Sequence, residues 1–350
     1  MILSSYTLAL LDDIERRIDP ETEEDYRKQW KAFWYKDPGT SVFIPKRKIT
    51  SSPGTELKSI YINDALKNPE LMLDAQLIGV SSSLAQGSSA LGIRANYGTG
   101  IMTSLFGAEV FTMPYELNTL PTTRSLNDSD RIRHILDQGI PDFYNGFGKD
   151  VLFFGEYCAE IFEKYPNIRK YVEMYHPDTQ GPLDIAELLW GSEMFYEMYD
   201  DPDFVHSVLR LVTDTYKGFM DKWYSIIPKR QELSVHWGLM HRGTILLRLD
   251  SAMNLSPDFY EEFSKPYDRE LFDYYDGGCM HFCGRGDHYI KSLCDIENMY
   301  GINMSQPHLN NMNVILDAVS SGNKRILSLP DAASYAEHYP LCKGLMHSYI

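Results

Sequence analysis

The sequence predicts a (β/α)₈ barrel (TIM barrel) that forms one domain over residues 1–350, with an N-terminal helical extension over residues 1–40. Strand-like and helix-like stretches alternate along the chain without an internal repeat, which is typical of a parallel α/β architecture. Eight strand candidates outside residues 106–145 suit a closed barrel, and α/β barrels often exceed 250 residues as one domain. A doubly wound open sheet is the alternative, but no glycine-rich phosphate loop follows the first strand.

The elements follow from periodicity and from the residues that start and stop them. Helix 21–35 has acidic residues in its first turn and three aromatic residues at helical spacing. Asp201-Pro202-Asp203 and Ser256-Pro257-Asp258 each place an N-cap, a first-turn proline and an acidic residue in order, so helices begin there and the second runs through Tyr275. Residues 106–145 are predicted to be a strand followed by a long loop. Further helices are predicted at 55–86 and 147–164, and strands at 41–45, 92–98, 169–177, 244–249, 279–283, 301–305, 325–329 and 344–349.

Composition narrows the possible partners and the compartment. The formal net charge of −16 disfavours nucleic acid and anionic membrane surfaces, and no uninterrupted apolar run is long enough to cross a bilayer. Five cysteines are too few and too odd in number for a disulfide scaffold, which indicates a reducing compartment. The N-terminus has no basic stretch of the kind that begins a signal peptide. We therefore expect a cytoplasmic protein that acts on a small-molecule substrate.

Two charged residues stand at the end of the predicted strand TILLRLD. Because side chains alternate along a strand, Arg248 and Asp250 share one face, and Ile245, Leu247 and Leu249 share the other. The apolar face should meet the helices, which puts Arg248 and Asp250 at the carboxyl end of the barrel, where such folds carry their active sites. Both are candidate catalytic residues, and a structural Arg–Asp pair that seals the barrel is the alternative.

The stretch GGCMHFCGRGDH offers a candidate metal site. His281 and Cys283 are two residues apart on a strand, so their side chains point the same way, and imidazole with thiolate suits zinc. A core histidine beside a small buried cysteine would leave the same pattern. A zinc site needs a third ligand, and spacing alone leaves His347, Cys342, His236 and His241 open, with His347 our choice.

Several other polar residues are candidates for substrate binding. His236 and His241 resemble a loop pair that contacts substrate or packs inside the fold. Asn96 and Tyr97 lie on opposite faces of one predicted strand, so only one of them faces the interior. Glu173 and Tyr175 share one face of another strand, and either face of that strand could be the interior one.

Four segments in order resemble the uroporphyrinogen decarboxylase superfamily over about residues 90–330. They are GPLDIAELLWG, YDDPDFVHSVLRLVTD, LDSAMNLSPDFYEEFSKPY and HFCGRGDHYIKSL. The resemblance implies a (β/α)₈ barrel with its site at the carboxyl-terminal mouth. One branch of the superfamily decarboxylates uroporphyrinogen without a cofactor and has an arginine-rich N-terminal loop, in whose place this chain has FIPKRKITSS.

The other branch is similar to methylcobamide:thiol methyltransferases such as those of coenzyme M. These hold zinc on a His-x-Cys strand and a distant cysteine, and His281 and Cys283 match the first part, while His347 occupies about the position of the late cysteine. The resemblance therefore implies a zinc-dependent methyltransferase with a thiol-type acceptor. Its methyl donor would be a corrinoid bound to a partner protein, or another methyl donor. Asp250 would orient a ligand or act as a base, and Arg248 would pair with it or with a substrate carboxylate. Uroporphyrinogen decarboxylation and non-catalytic binding of a corrinoid or small ligand are the alternatives.

Overall fold

The computed structural model describes residues 2–49, 51–87, 89–230 and 232–349, so Met1 of the predicted extension and Thr50 of the FIPKRKITSS segment lie outside it. The α-helices are α1 (Ser5–Arg17), α2 (Pro20–Tyr35), α3 (Ile62–Ala65), α4 (Pro69–Gln86), α5 (Ile101–Leu105), α6 (Ser129–Gln138), α7 (Gly146–Phe162), α8 (Pro166–Tyr171), α9 (Pro182–Trp190), α10 (Met194–Asp200), α11 (Pro202–Ile226), α12 (Pro257–Phe263), α13 (Lys265–Tyr274), α14 (Ile290–Cys294), α15 (Met312–Ser321) and α16 (Ala332–His338). The strands are β1 (Gly92–Ile93), β2 (Val110–Phe111), β3 (Thr122–Thr123), β4 (Glu173–Met174), β5 (Leu233–His236), β6 (Leu239–Arg242), β7 (Ile245–Arg248), β8 (Gly278–Phe282), β9 (Met299–Met304) and β10 (Arg325–Leu327).

The principal sheet is parallel, with strand order β10-β9-β8-β7 over the described residues. Single parallel bridges join Ile326 to Met346 and Phe43 to His347, which extends the row by two further segments. β1 pairs in parallel with β4 as a separate two-stranded sheet. The mixed α/β class is thus confirmed. The strands are short, and within the described ranges no ladder joins β4 to β7, so the closed eight-stranded ring is not seen.

Side chains take the place of backbone pairing in the gap between β4 and β7. The imidazole Nε2 of His176 accepts a hydrogen bond from the Leu246 N–H at 3.0 Å, and the Glu173 carboxylate accepts one from the Val235 N–H at 2.8 Å. These bonds satisfy backbone donors that a strand partner would otherwise take. We call this gap the β4–β7 seam.

The two faces of the strands bury different clusters, as the period-two alternation predicts. Ile245 and Leu247 of β7 belong to the large cluster under the helices, together with Met280 and Phe282 of β8. The alternate residues, including Leu246 and Cys279, belong to a second cluster with Trp30 and Trp34 of α2. Successive strand residues therefore pack into different clusters. We call the second one, which α2 covers, the inner cluster.

A hairpin that the sequence reading missed fills much of the inner cluster. β5 and β6 pair in antiparallel register and are joined by the two residues Trp237 and Gly238, with φ of 49° and 76°. Positive φ at both positions is the geometry of a type I′ turn, which Asn-Gly usually occupies. The indole of Trp34 donates to the Met240 carbonyl at 2.9 Å and ties the hairpin to α2.

Several element boundaries differ from those predicted. Residues 169–171 end helix α8, so the strand predicted at 169–177 shrinks to β4. The helix predicted through Tyr275 breaks at Ser264 into α12 and α13. The region 106–145 contains the small hairpin β2–β3 and helix α6 rather than one strand and a long loop, and within 55–86 the long helix begins only at Pro69. None of the helices in the described ranges has the length and apolarity that a membrane span requires.

The N-cap of α11 provides a test of how the sequence starts this 25-residue helix. The Asp201 side chain accepts from the Phe204 N–H at 3.2 Å and also pairs with Arg133 at 3.0 Å. We expect Asp201→Ala to lower the free energy of unfolding by about 1 kcal/mol, measured by urea denaturation, because the cap acceptor is lost. Asp201→Asn keeps the acceptor and Arg133→Ala removes only the ion pair. Equal stability of the Ala and Asn variants would contradict a capping role.

Candidate metal centre

Strand register sets one row of side chains at the carboxyl end of the principal sheet. Arg248 of β7 pairs with His281 of β8, and His281 pairs with Asn303 of β9. Neighbouring residues in register project to the same face, so these three side chains meet on the inner side of the sheet. At the opposite end of the ladder, Gly278 permits the close approach of β7 and β8, because a Cβ there would lie 1.8 Å from the Ile245 carbonyl oxygen.

Three potential metal ligands gather at this row. Asp250, His281 and Cys283 each offer one ligand atom, and these three atoms lie within 4.8 Å of one another. The described residues contain no other group of three or more potential ligands this close together. The Cys283 sulfur lies 3.5 Å from His281 Nε2, and the Asp250 carboxylate lies 4.0 Å from the same nitrogen. We call Asp250, His281 and Cys283 the Asp–His–Cys group. Its nitrogen, sulfur and oxygen donors are those that zinc accepts in tetrahedral sites with an open position.

The hydrogen bonds around His281 leave its Nε2 lone pair pointing at the group. The Asn303 amide nitrogen donates to the Leu327 carbonyl at 2.9 Å, so its oxygen faces His281 Nδ1 at 2.7 Å. Nδ1 must then carry the proton, and burial lowers the pKa of His281, which favours the neutral ring. A neutral histidine whose second nitrogen is held by an acceptor is the form that binds metals.

The backbone of Cys283 and the buried carboxylate of Asp184 hold Asp250 in position. Its carboxylate accepts a hydrogen bond from the Cys283 N–H at 2.6 Å, which joins the ends of β7 and β8. Behind it, the two Asp184 oxygens accept from the N–H groups of Asp250 and Ser251 at 2.9 and 2.8 Å. Burial, together with the Asp250 carboxylate, raises the pKa of Asp184 to about 7. Accumulated acidic groups of this kind favour a cation at the Asp250 side chain.

Arg248 lies beside the group and has donor capacity to spare. It forms an ion pair with Asp178, which also pairs with Arg94 at 3.0 Å. Its Nη1 donates to the Leu246 carbonyl at 3.2 Å, whereas its buried Nη2 has no hydrogen-bond partner within the described residues. Two guanidinium groups thus share the Asp178 carboxylate, which leaves Arg248 able to donate to a further acceptor.

Trp237 at the tip of the β5–β6 hairpin covers the group from inside. Its ring stands edge-on to His281 at 4.9 Å, and the Arg248 guanidinium lies 4.6 Å from its centre. Holding a tryptophan at positive φ costs on the order of 1 kcal/mol, and such strain is concentrated at functional sites. The strained turn therefore carries an aromatic wall to the Asp–His–Cys group.

Polar side chains link the loops that follow β8 and β9. The Gln306 side chain accepts from the Gly284 N–H, and the Asn310 oxygen accepts from the N–H groups of Gly286 and Asp287 at 2.7 and 3.1 Å. Within the part of the chain that the structure describes, neither ring nitrogen of His288 has a hydrogen-bond partner. The loop after Cys283 is thus held in place through side chains of the next loop.

His347, our sequence-based choice of third ligand, lies apart from the group. It is three positions along the row from β8, beyond β9 and β10, and parallel strands are about 4.8 Å apart. Its ring is buried against Trp30 and Phe43, with centroid separations of 4.7 and 5.8 Å, and its Nδ1 accepts from the Ser328 N–H. Among the described residues, Asp250 rather than His347 lies beside His281 and Cys283.

The remaining predicted residues lie in three different surroundings. Asn96 is half-buried with an oxygen that has no partner within residues 2–49, 51–87, 89–230 and 232–349, whereas Tyr97 packs under the helices against Phe147. The other four residues line the β4–β7 seam and the inner cluster instead of the mouth. These are Glu173, Tyr175, His236 and His241.

Sequence reasoning missed several residues that build this site. Asp178 and Asp184 come from the loop and helix after β4, Trp237 from the hairpin turn, and Asn303 from β9. The alternation rule alone could have found Asn303, because it lies in a strand that was predicted at 301–305. The other contacts depend on how distant segments pack.

Cys283 should differ from the other cysteines in reactivity. Cys283 is half-buried, whereas Cys158, Cys279, Cys294 and Cys342 are buried. Burial raises the thiol pKa of all five cysteines, so the exposure of the sulfur is what sets Cys283 apart. We expect an aromatic disulfide reagent to label one thiol rapidly in the native protein, and Cys283→Ser to lose that phase. Cys342→Ser is the matched control. A rapid phase that persists in Cys283→Ser would contradict the exposure of this sulfur.

Comparisons with known proteins place the fold but not the family. A scan against protein-family models gave no match, and no curated protein matches the chain. Among solved structures, a methyltransferase from Methanosarcina mazei matches with a TM-score of 0.61 and 14% sequence identity, over 93% of this chain and 92% of that chain. At this identity the likeness shows the fold alone, and this chain shares its fold with that methyltransferase.

Proposed function

We propose that this protein is a zinc-dependent methyltransferase of the uroporphyrinogen decarboxylase superfamily, built as one (β/α)₈ barrel domain. The observation that carries the proposal is the Asp–His–Cys group at the carboxyl end of the strands. Its metal would be held by Asp250, His281 and Cys283, which departs from the His-x-Cys-plus-distant-Cys set of the thiol methyltransferases. The methyltransferase fold of the solved neighbour is consistent with this reading.

The residues present fit zinc by donor type and by what surrounds them. The three donors lie within 4.8 Å, and the Asn303 oxygen holds His281 in the tautomer that leaves Nε2 available. When bound, zinc supplies a Lewis acid that lowers the pKa of a thiol so that it is available as thiolate. The sequence predicts that Asp250 is a base or an orienting residue, whereas in this proposal Asp250 is a metal ligand.

Arg248 and Trp237 would orient the acceptor beside the metal. The buried Nη2 of Arg248 lacks a hydrogen-bond partner over the described residues, so an anionic group of the acceptor would satisfy it. Trp237 would exclude water from the same space, since its ring contacts both His281 and Arg248. In the overall reaction the acceptor sulfur forms a bond to the methyl carbon as the donor–methyl bond breaks, and the thiol proton is released. A corrinoid on a partner protein is the donor that we propose.

Zinc stoichiometry tests the ligand set. Protein loaded with zinc and then desalted should retain about one zinc per chain by atomic emission. His281→Gln, Cys283→Ser and Asp250→Asn should each lose it, because each removes a ligand. His347→Gln is the matched control and should retain it. If Asp250→Asn retained zinc and His347→Gln lost it, Asp250 would not be the third ligand and the proposed ligand set would be wrong.

Methyl transfer tests the activity itself. Zinc-loaded protein should demethylate free methylcob(III)alamin in the presence of a carboxylate-bearing thiol such as 3-mercaptopropionate, followed by the corrinoid absorbance. Asn303→Leu should bind zinc about 10- to 100-fold more weakly, since the partner of His281 is gone. Zinc-bound wild-type protein without any demethylation above the free-zinc control would exclude this function.

A further inference from the structure

A cavity of about 450 Å³ opens at the β4–β7 seam, away from the Asp–His–Cys group. We call it the seam cavity. It lies where the strand ring lacks a backbone ladder, between the ends of α7 and α11 and the start of β5. Its walls include the apolar residues Phe162, Val172, Ile226 and Ile227, and its lining includes the exposed residues Arg169 and Lys229, so it opens to solvent. A small organic molecule would fit this volume.

The Glu173 carboxylate and the Arg230 guanidinium face each other in the seam cavity at a distance too long for a hydrogen bond. Glu173 Oε2 lies 4.0 Å from Arg230 Nε, and this oxygen has no hydrogen-bond partner in the described ranges, although Oε1 accepts from the Val235 N–H. Glu173 is buried, and this burial raises its pKa to about 7. A buried carboxylate with one unsatisfied oxygen is costly and would be stabilised by a cationic donor.

A second acceptor without a partner lies in the same lining. His241 Nδ1 faces the Arg242 carbonyl at 3.2 Å, so it donates there and its Nε2 must accept. His236 Nδ1, 2.8 Å from that Nε2, therefore donates, which leaves the His236 Nε2 lone pair. This nitrogen is buried and has no hydrogen-bond partner over the described part of the chain. Both rings have lowered pKa values because of burial, so they are neutral.

Charge around the seam cavity is divided between its interior and its rim. The interior carries the two acceptors of Glu173 and His236. The outer part carries three cations, Arg169, Lys229 and Arg230, and one exposed acid, Glu163. The outer part is therefore net positive, although the chain as a whole has a net charge of −16. Such an arrangement is complementary to a ligand with an ammonium group at one end and a carboxylate at the other.

We propose that the seam cavity binds a free α-amino acid. The ammonium group would donate to Glu173 Oε2 and His236 Nε2, and the carboxylate would accept from Arg230 and Lys229. The two charges of an α-amino acid lie as close together as those of Glu173 and Arg230, so one molecule can satisfy both. Its side chain would lie against the apolar wall formed by Val172, Ile226 and Ile227.

Calorimetric titration of the intact protein with each of the twenty common α-amino acids tests this proposal. At least one amino acid should bind. The analogue that lacks its amino group and the analogue that lacks its carboxylate should each bind at least about tenfold more weakly, because each loses a charge-assisted contact. Glu173→Gln, which keeps an acceptor for Val235 N–H, and Arg230→Ala should weaken binding by about 10- to 100-fold. Arg230→Lys should recover part of the loss.

The matched control is Glu160→Gln, an exposed acid on α7 that does not line the cavity. It should bind as the wild type does, and Glu173→Gln should retain zinc, which separates this proposal from that of the metal centre. The absence of millimolar or tighter binding by all twenty amino acids would overturn the proposal, as would binding that Glu173→Gln and Arg230→Ala leave unchanged. A crystal structure grown with the amino acid that shows only water in the seam cavity would overturn it too.

Discussion

The register between β7, β8 and β9 is the constraint on which the site depends. It aligns Arg248, His281 and Asn303 across three strands, so that one row supplies a cation, a potential ligand and the residue that sets the tautomer of that ligand. A slip of one residue would turn the row toward the helices and bring Met280 or Phe282 inward. Burial of Met280 and Phe282 under the helices therefore also holds the Asp–His–Cys group in place.

The incomplete strand ring explains the other unusual features. Because no ladder joins β4 to β7 among the described residues, His176 and Glu173 satisfy backbone donors across the seam, and the β5–β6 hairpin packs into the inner cluster. The hairpin carries Trp237 to the Asp–His–Cys group and His236 to the seam cavity. One local departure from regular strand pairing thus contributes to both proposed sites.

Local periodicity predicted the parts of the site that lie on single strands. The alternation in TILLRLD and in the segment around His281 gives the correct faces, because side-chain direction in a strand depends only on residue parity. The position of Asp250 next to Cys283 depends on the register between strands, and that of His347 depends on the order of strands, so spacing alone could not show that Asp250 is a potential ligand or that His347 lies apart. The hairpin escaped notice because its turn contains Trp237 where asparagine is usual. The α8 boundary was misplaced because YVEMY suits either a helix end or a strand.

X-ray absorption at the zinc edge of the loaded protein tests the central claim most directly. We predict one sulfur scatterer at about 2.3 Å with nitrogen and oxygen scatterers at about 2.0–2.2 Å, and the loss of the sulfur shell in Cys283→Ser. A spectrum of oxygen and nitrogen scatterers alone in the wild type, or a sulfur shell that survives in Cys283→Ser, would contradict a metal centre on Asp250, His281 and Cys283.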